Sequence, residues 1–235
     1  IRDSHYTDDY TKEEGSDKWE QPEEEKPVSQ DITASVSGKE ASAKVPAAEI
    51  DQLISDALKN KADIIDLNIK GADKADKILV ELPKASVQNI ADKTDAALNI
   101  NTALGNVTLD RRAMTEAVKA AAGDEITLIL EKKAASDAQK AQLGDDAAFT
   151  DVKLLSGGKE ITDLDTAKIT VELPVSDTLA AKTCALAFMD ADGKLTKLSG
   201  KVVTVNGKKY FRFETSVFGS FVLAEESKLD AAIKE

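Results

Sequence analysis

Two periods alternate along the chain after Asp31. Ile65, Leu67 and Ile69 are interleaved with Asp66, Asn68 and Lys70, the period-two pattern of a strand with one face buried and one face meeting water. Ile50, Leu53, Ile54, Ala57 and Leu58 recur instead at helical spacing and predict one buried stripe. Set in register, three segments repeat the order strand, helix, strand: 43–46, 47–60 and 64–69; 78–83, 84–93 and 97–100; 107–110, 111–122 and 126–130. In the first, Pro46 suits a first helical turn. In the third, Met114, Ala117, Val118 and Ala121 keep the helical spacing, with Asp110 placed to cap the start and Gly123 to stop the end. Residues 28–133 therefore read as an antiparallel or mixed sheet with short helices on one side.

Residues 134–150 are rich in Ala, Asp, Gln and Lys and read as a connector that is partly helical. Beyond them seven short apolar runs follow at 152–155, 169–173, 184–188, 195–198, 202–205, 210–213 and 218–223. Turn signals separate them, among them Ser156-Gly157-Gly158, Asp190-Ala191-Asp192-Gly193 and Asn206-Gly207. That spacing predicts an all-β, sandwich-like module over 151–226, with 227–235 as the start of a further linker. The fold class expected is thus α+β.

Composition changes the picture mainly at the N-terminus. Residues 1–27 carry ten acidic and four basic side chains, half of the net charge of −12 of the whole chain, and read as an acidic linker. The same stretch holds Trp19, His5, Tyr6 and Tyr10, rings that suit docking on the chain's own modules or on a neighbouring copy. A chain with 31 basic and 43 acidic side chains is a poor partner for nucleic acid or anionic lipid, since both require a basic face. No run approaches the roughly 20 apolar residues of a membrane helix, so no membrane insertion is expected. The sequence starts without Met or a signal-peptide pattern and ends in charge, which reads as a piece of a longer protein whose targeting signal and anchor lie elsewhere.

The residues capable of chemistry are few. Asp190 and Asp192 resemble the opening of a calcium loop, but Lys201 occupies the twelfth position, where that loop needs Glu; a hairpin turn is the simpler reading. Cys184, the sole cysteine, lies in an apolar strand as a small core hydrophobe would. One cysteine forms no internal disulfide, and the sole histidine, His5, lies in the tail, which disfavours Ser-His-Asp chemistry and histidine-based zinc sites. Gly157-Gly158-Lys159 and Gly71 lack the spacing of a phosphate-cradling loop. Phe188, Phe211, Phe213, Phe218 and Phe221 fall at core positions, whereas Tyr210 and Arg212 form the alternating pair placed to face outward, and these two are the candidate ligand-binding residues. No cofactor and no catalytic site is expected.

Three stretches carry a family likeness: Ile169-Thr170-Val171-Glu172-Leu173-Pro174, then Ala187-Phe188-Met189-Asp190-Ala191-Asp192-Gly193-Lys194-Leu195, and the closing Thr215-Ser216-Val217-Phe218-Gly219-Ser220-Phe221-Val222-Leu223. Over roughly residues 150–225 the chain resembles a β-rich module of multidomain bacterial cell-surface proteins, often associated with S-layer homology domains, which the strand-helix-strand units commonly precede. Val217 stands where the family usually has His. The resemblance implies an extracellular or cell-wall-attached protein with a non-catalytic role in adhesion, display or spacing, its partners being other surface-protein domains or an extracellular glycan or protein. The alternative is a carbohydrate-binding module appended to a polysaccharide-active enzyme.

Overall fold

A computed structural model describes residues 28–235; the expected docking of the acidic tail lies outside the described residues. The described chain opens with β1 (Val28–Thr33) and β2 (Ser35–Ser37). The three repeated units follow as β3 (Glu40–Lys44), α1 (Ala47–Asn60) and β4 (Ile64–Lys70); β5 (Lys77–Pro83), α2 (Lys84–Lys93) and β6 (Ala97–Thr102); β7 (Gly105–Leu109), α3 (Arg111–Ala120) and β8 (Glu125–Lys133). Helix α4 (Asp137–Leu143) lies in the expected connector and leads into β9 (Ala148–Ser156), β10 (Lys159–Glu160) and β11 (Ile169–Pro174). Helix α5 (Asp177–Ala180), β12 (Cys184–Met189), β13 (Leu195–Leu198), β14 (Gly200–Val205), β15 (Lys208–Thr215), β16 (Gly219–Glu225) and α6 (Glu226–Ile233) complete it.

The architecture is α+β with two mixed sheets. The seven-stranded sheet runs β1-β4-β6-β7-β11-β15-β14; the nine-stranded sheet runs β13-β12-β16-β9-β8-β5-β3-β2, with β10 paired to β9. Each sheet takes strands from both sides of 134–150, so residues 28–133 and 151–226 share both sheets. Their inward faces also share one core. The buried row Leu67, Ile100, Val107, Val171 and Phe213 crosses five strands of the first sheet in register. Facing side chains such as Ile78, Leu128, Leu130, Val152 and Phe221 belong to the same cluster. Phe213 of one sheet meets Phe221 of the other with ring centroids 5.0 Å apart.

Two bent segments join the sheets along their sides. The chain passes from β1 at the edge of one sheet to β2 at the edge of the other through Ala34 alone, and from β13 to β14 through Ser199 alone. At the second corner Gly200 is obligatory for space: a Cβ there would lie 2.5 Å from the Phe211 ring and 2.6 Å from the Arg212 carbonyl oxygen.

Each repeated unit sends its two strands to opposite sheets, so its helix spans the gap between them. The registers Pro83 with Glu125 and Leu98 with Leu109 bring the helix-bearing strand ends to the same end of the sandwich, which α1, α2 and α3 close. Ile50, Leu53, Ile54 and Ala57 of α1 are buried, but Leu58, expected on the same stripe, is 54% exposed. Eight residues after Ile50 the helix has rotated roughly 80° past whole turns, which carries Leu58 off the buried side. The Asp110 carboxylate accepts a hydrogen bond from the Ala113 N–H at 2.8 Å and caps α3. Pro46 occupies the N-cap of α1, and Gly123 lies past the end of α3, packed so closely on Gly157 that a Cβ would come within 2.8 Å of its backbone.

A second, smaller cluster lies outside the nine-stranded sheet. Phe149, Ala185, Ala187, Val222 and Ala224 point away from the main core and are covered by Leu143 of α4 and Leu229 of α6. A capping box between Ser136 and Gln139 starts α4. Lys197 on β13 reaches Glu226 at 3.0 Å and Asp230 at 2.9 Å and ties α6 to the sheet. The hydrogen bonds to Asp230 and then Glu226 raise the pKa of Lys197 above the ordinary lysine value. Helix α6 overlaps the stretch 227–235 expected to begin a linker, and its Leu229 is fully buried.

Candidate functional site: the outer face of the seven-stranded sheet

Because side chains alternate across a strand, the residues between the buried ones on the seven-stranded sheet all point outward. The pairing registers align Asp31, Asn68, Asn101, Asn106, Glu172, Arg212 and Lys201, one from each of the seven strands, in a single row. A second row, Ser29, Asp66, Asn99, Thr108, Thr170 and Glu214, lies two residues away along the strands. Every member of both rows is polar.

Hydrogen bonds hold these side chains in place. Asn68 donates to Asp31 at 3.1 Å, Asn101 to Asn68 at 2.9 Å, Asn99 to Asn101 at 3.1 Å and to Asp66 at 2.6 Å, and the Thr108 hydroxyl to Asn99 at 2.9 Å. Across the middle of the sheet Asn106 donates to Glu172 Oε1 at 3.2 Å, while Arg212 donates to Glu172 Oε2 through Nε at 2.9 Å and forms an ion pair with the same oxygen through Nη2 at 2.8 Å. The Glu172 side chain is only 12% exposed, so both of its oxygens are committed to partners in a half-dry setting. Fixed side chains of this kind lose little freedom when something binds.

The face forms a groove of about 1390 Å³, bordered by Ile64 and Lys70 toward β4 and by Leu198, Gly200 and Lys201 toward β14. Tyr210, on β15 two residues before Arg212, lines this groove and also a smaller hollow of about 530 Å³ beside Pro174, Asp177 and Ala180. Four acidic and five basic side chains line the large groove (Asp66, Asp73, Glu172 and Glu214; Lys70, Lys168, Lys201, Lys208 and Arg212). On a chain with a net charge of −12 the groove is therefore locally balanced.

The structure brings Tyr210 and Arg212 together on this face, with Arg212 paired to Glu172. Asp190 and Asp192 lie elsewhere, in the turn between β12 and β13, where Asp190 Oδ1 accepts the N–H groups of Asp192 at 2.9 Å and Lys194 at 2.8 Å. Among the described residues no three His, Cys, Asp or Glu side chains gather as a metal-binding group. Cys184 is partly buried at the start of β12, and burial pushes its thiol pKa up, with Glu226 nearby adding to the effect. The amides Asn68, Asn99, Asn101 and Asn106, with Asp66, Thr108, Thr170 and Glu172, are the residues that sequence reasoning did not single out. Their signal is the polar-apolar-polar triplet repeated in four strands, Asp66-Leu67-Asn68, Asn99-Ile100-Asn101, Asn106-Val107-Thr108 and Thr170-Val171-Glu172.

Fold and face define an α+β sandwich carrying an open, polar β-surface. No family model matches the chain, and no curated protein matches it. No helix among the described residues is long and apolar enough to cross a membrane.

Proposed function

We propose that the chain is a non-catalytic interaction module of a secreted or cell-surface bacterial protein, extracellular or wall-attached, and that it engages its partner through the outer face of the seven-stranded sheet. One observation carries the reading: this face is polar on every strand, pre-ordered by its own hydrogen bonds, and left open, whereas α4 and α6 cover the outside of the other sheet. A purely structural sheet has no need of fixed amides aimed at water. The chemistry is that of recognition, because Glu172, a carboxylate whose side chain is largely enclosed, has both oxygens occupied by donors within the sheet. The likeness to bacterial surface modules over roughly 150–225 supports the cellular setting.

Surface plasmon resonance of the full chain against purified extracellular polysaccharides and matrix proteins tests this, with an Asn101→Ala/Arg212→Ala variant alongside. Saturable binding that the variant loses supports the reading. Binding that the variant retains in full, or release of new reducing ends from any polysaccharide, overturns it.

A further inference from the structure

The groove on the seven-stranded sheet has features that narrow the chemistry of its occupant. The long row contains two carboxylates, Asp31 and Glu172, and two cations, Arg212 and Lys201, so its formal charge sums to zero. A polyanion or polycation gains nothing along such a row, since attraction at one strand is cancelled at another. A protein partner is also poorly matched. The centres of protein interfaces are rich in aromatic and Met side chains, while this lining is mostly polar or charged; Ile64, Ile69, Leu198 and Val205 are its larger aliphatic members, it holds no Met, and of its two rings Phe213 is buried in the core, which leaves Tyr210.

The hydrogen-bond inventory is the more telling feature. An asparagine amide has two N–H groups and two carbonyl lone pairs. Asn68 uses one N–H on Asp31 and one lone pair for Asn101; Asn99 and Asn101 each accept only one bond at Oδ1; Asn106 uses one N–H on Glu172. Asn68, Asn99 and Asn101 are half-buried and each keeps an unused donor or acceptor toward the groove, while Asn106 is buried beneath them and holds Glu172 in place. At the strand spacing of about 4.8 Å the six steps of the row give a track of about 29 Å, with amides on its second to fourth strands and charges that cancel on the others. Hydroxyl groups, which donate and accept at once, match such a track, and a chain of sugar rings repeats them at a comparable interval.

Resting on the interaction reading above, the geometry points to an extended, uncharged glycan as the ligand, lying across the strands along the row, with one ring stacked on Tyr210 where the two hollows meet. Tyr210 is half-buried and lines both hollows, and an aromatic ring is the side chain that stacks on the C–H side of a sugar. Asn101, at the centre of the amide chain, is a positioning and binding residue; Tyr210 supplies the platform.

Isothermal titration of the full chain with neutral glucose, mannose, galactose and xylose oligosaccharides, from disaccharides to hexasaccharides, tests this. For at least one series the affinity is micromolar and rises about tenfold from the short to the long member. Tyr210→Ala and Asn101→Ala each weaken it about tenfold or more, Tyr210→Phe stays within about threefold because the platform remains, and Lys153→Ala on the other sheet changes nothing. Length-independent binding, or binding indifferent to both alanine variants, overturns the assignment. So does the absence of binding by every series; if the full chain then binds a protein in a manner that Asn101→Ala and Arg212→Ala abolish, the interaction reading stands and the glycan assignment alone falls. Sugar binding accompanied by hydrolysis has the opposite meaning: the ligand class stands and the non-catalytic reading falls.

Discussion

The outward positions of β9, β12 and β16 carry Phe149, Ala185, Ala187, Val222 and Ala224, and two helices lie over them; the outward positions of β4, β6, β7 and β11 carry Asp66, Asn68, Asn99, Asn101, Asn106, Thr108, Thr170 and Glu172, and no helix among the described residues covers them. Both sheets use the same alternation to fill the shared core between them. What differs is the other half of the alternation. Apolar outward residues must be removed from water, at about 25 cal/mol per Å² of surface, and this favours docking of α4 and α6. Polar outward residues are already satisfied, by one another and by solvent, so the face needs no cover.

This contrast can be broken most severely on the covered side. Leu229→Asp places a carboxylate without a partner beneath α6 at a position with no exposure, and urea denaturation should show a loss of about 4 kcal/mol or more. The same kind of change on the open face, Thr170→Asp, should cost only about 1 kcal/mol, even with the like charge of Glu214 directly opposite. Comparable losses for the two would mean that the faces do not differ as described. At the corner beside the groove, Gly200→Ala should cost about 1–3 kcal/mol by the same assay, because the new methyl group has to displace the Phe211 ring or the strand itself. Arg212→Ala should cost only about 1 kcal/mol, the pair being partly exposed. An Arg212→Ala/Glu172→Gln double variant should recover part of that, since no charge is left without its partner.

The smallest effect concerns Cys184, near α6 on the covered side. Only the thiolate is alkylated, and burial raises the thiol pKa, so near pH 8 iodoacetamide should modify Cys184 more slowly than a free cysteine, with the rate climbing as pH passes above the usual thiol range. The linked stability has a definite sign. With the folded pKa above the unfolded one, the contribution is fully present below the ordinary thiol value and is lost as pH rises through the folded value. Alkylation as fast as that of a model thiol would show that α6 does not shelter this edge.

The sequence revealed the elements more readily than their assembly. The helices were legible over 47–60 and 84–93 because apolar spacing and the preceding Pro46 and Pro83 act within one turn, and the strands around them because alternation is local. Leu58 escaped, since a five-residue stripe exceeds the width that one helix side can bury. Helix α6 was hidden by its charges: Glu226, Lys228 and Asp230 look like a linker until Leu229 is seen beneath them. The segments before and after 134–150 read as separate modules because no local signal announces that β7 pairs with β11 or β8 with β9. Likewise Tyr210 and Arg212 were found by their alternation within one strand, whereas Asn68, Asn101, Asn106 and Glu172 become a row only through pairings that join distant parts of the chain. Each is an ordinary polar strand residue when taken alone.

The most direct test of the open face is a nitrogen-15 NMR titration of the full chain with the tightest-binding neutral oligosaccharide, following the side-chain amide signals. The account predicts saturable shifts of the Asn68, Asn99, Asn101 and Asn106 amides with a common affinity, while backbone signals of α4 and α6 stay fixed. Saturable shifts confined to the helical side of the nine-stranded sheet, with the four asparagines unmoved, would contradict it.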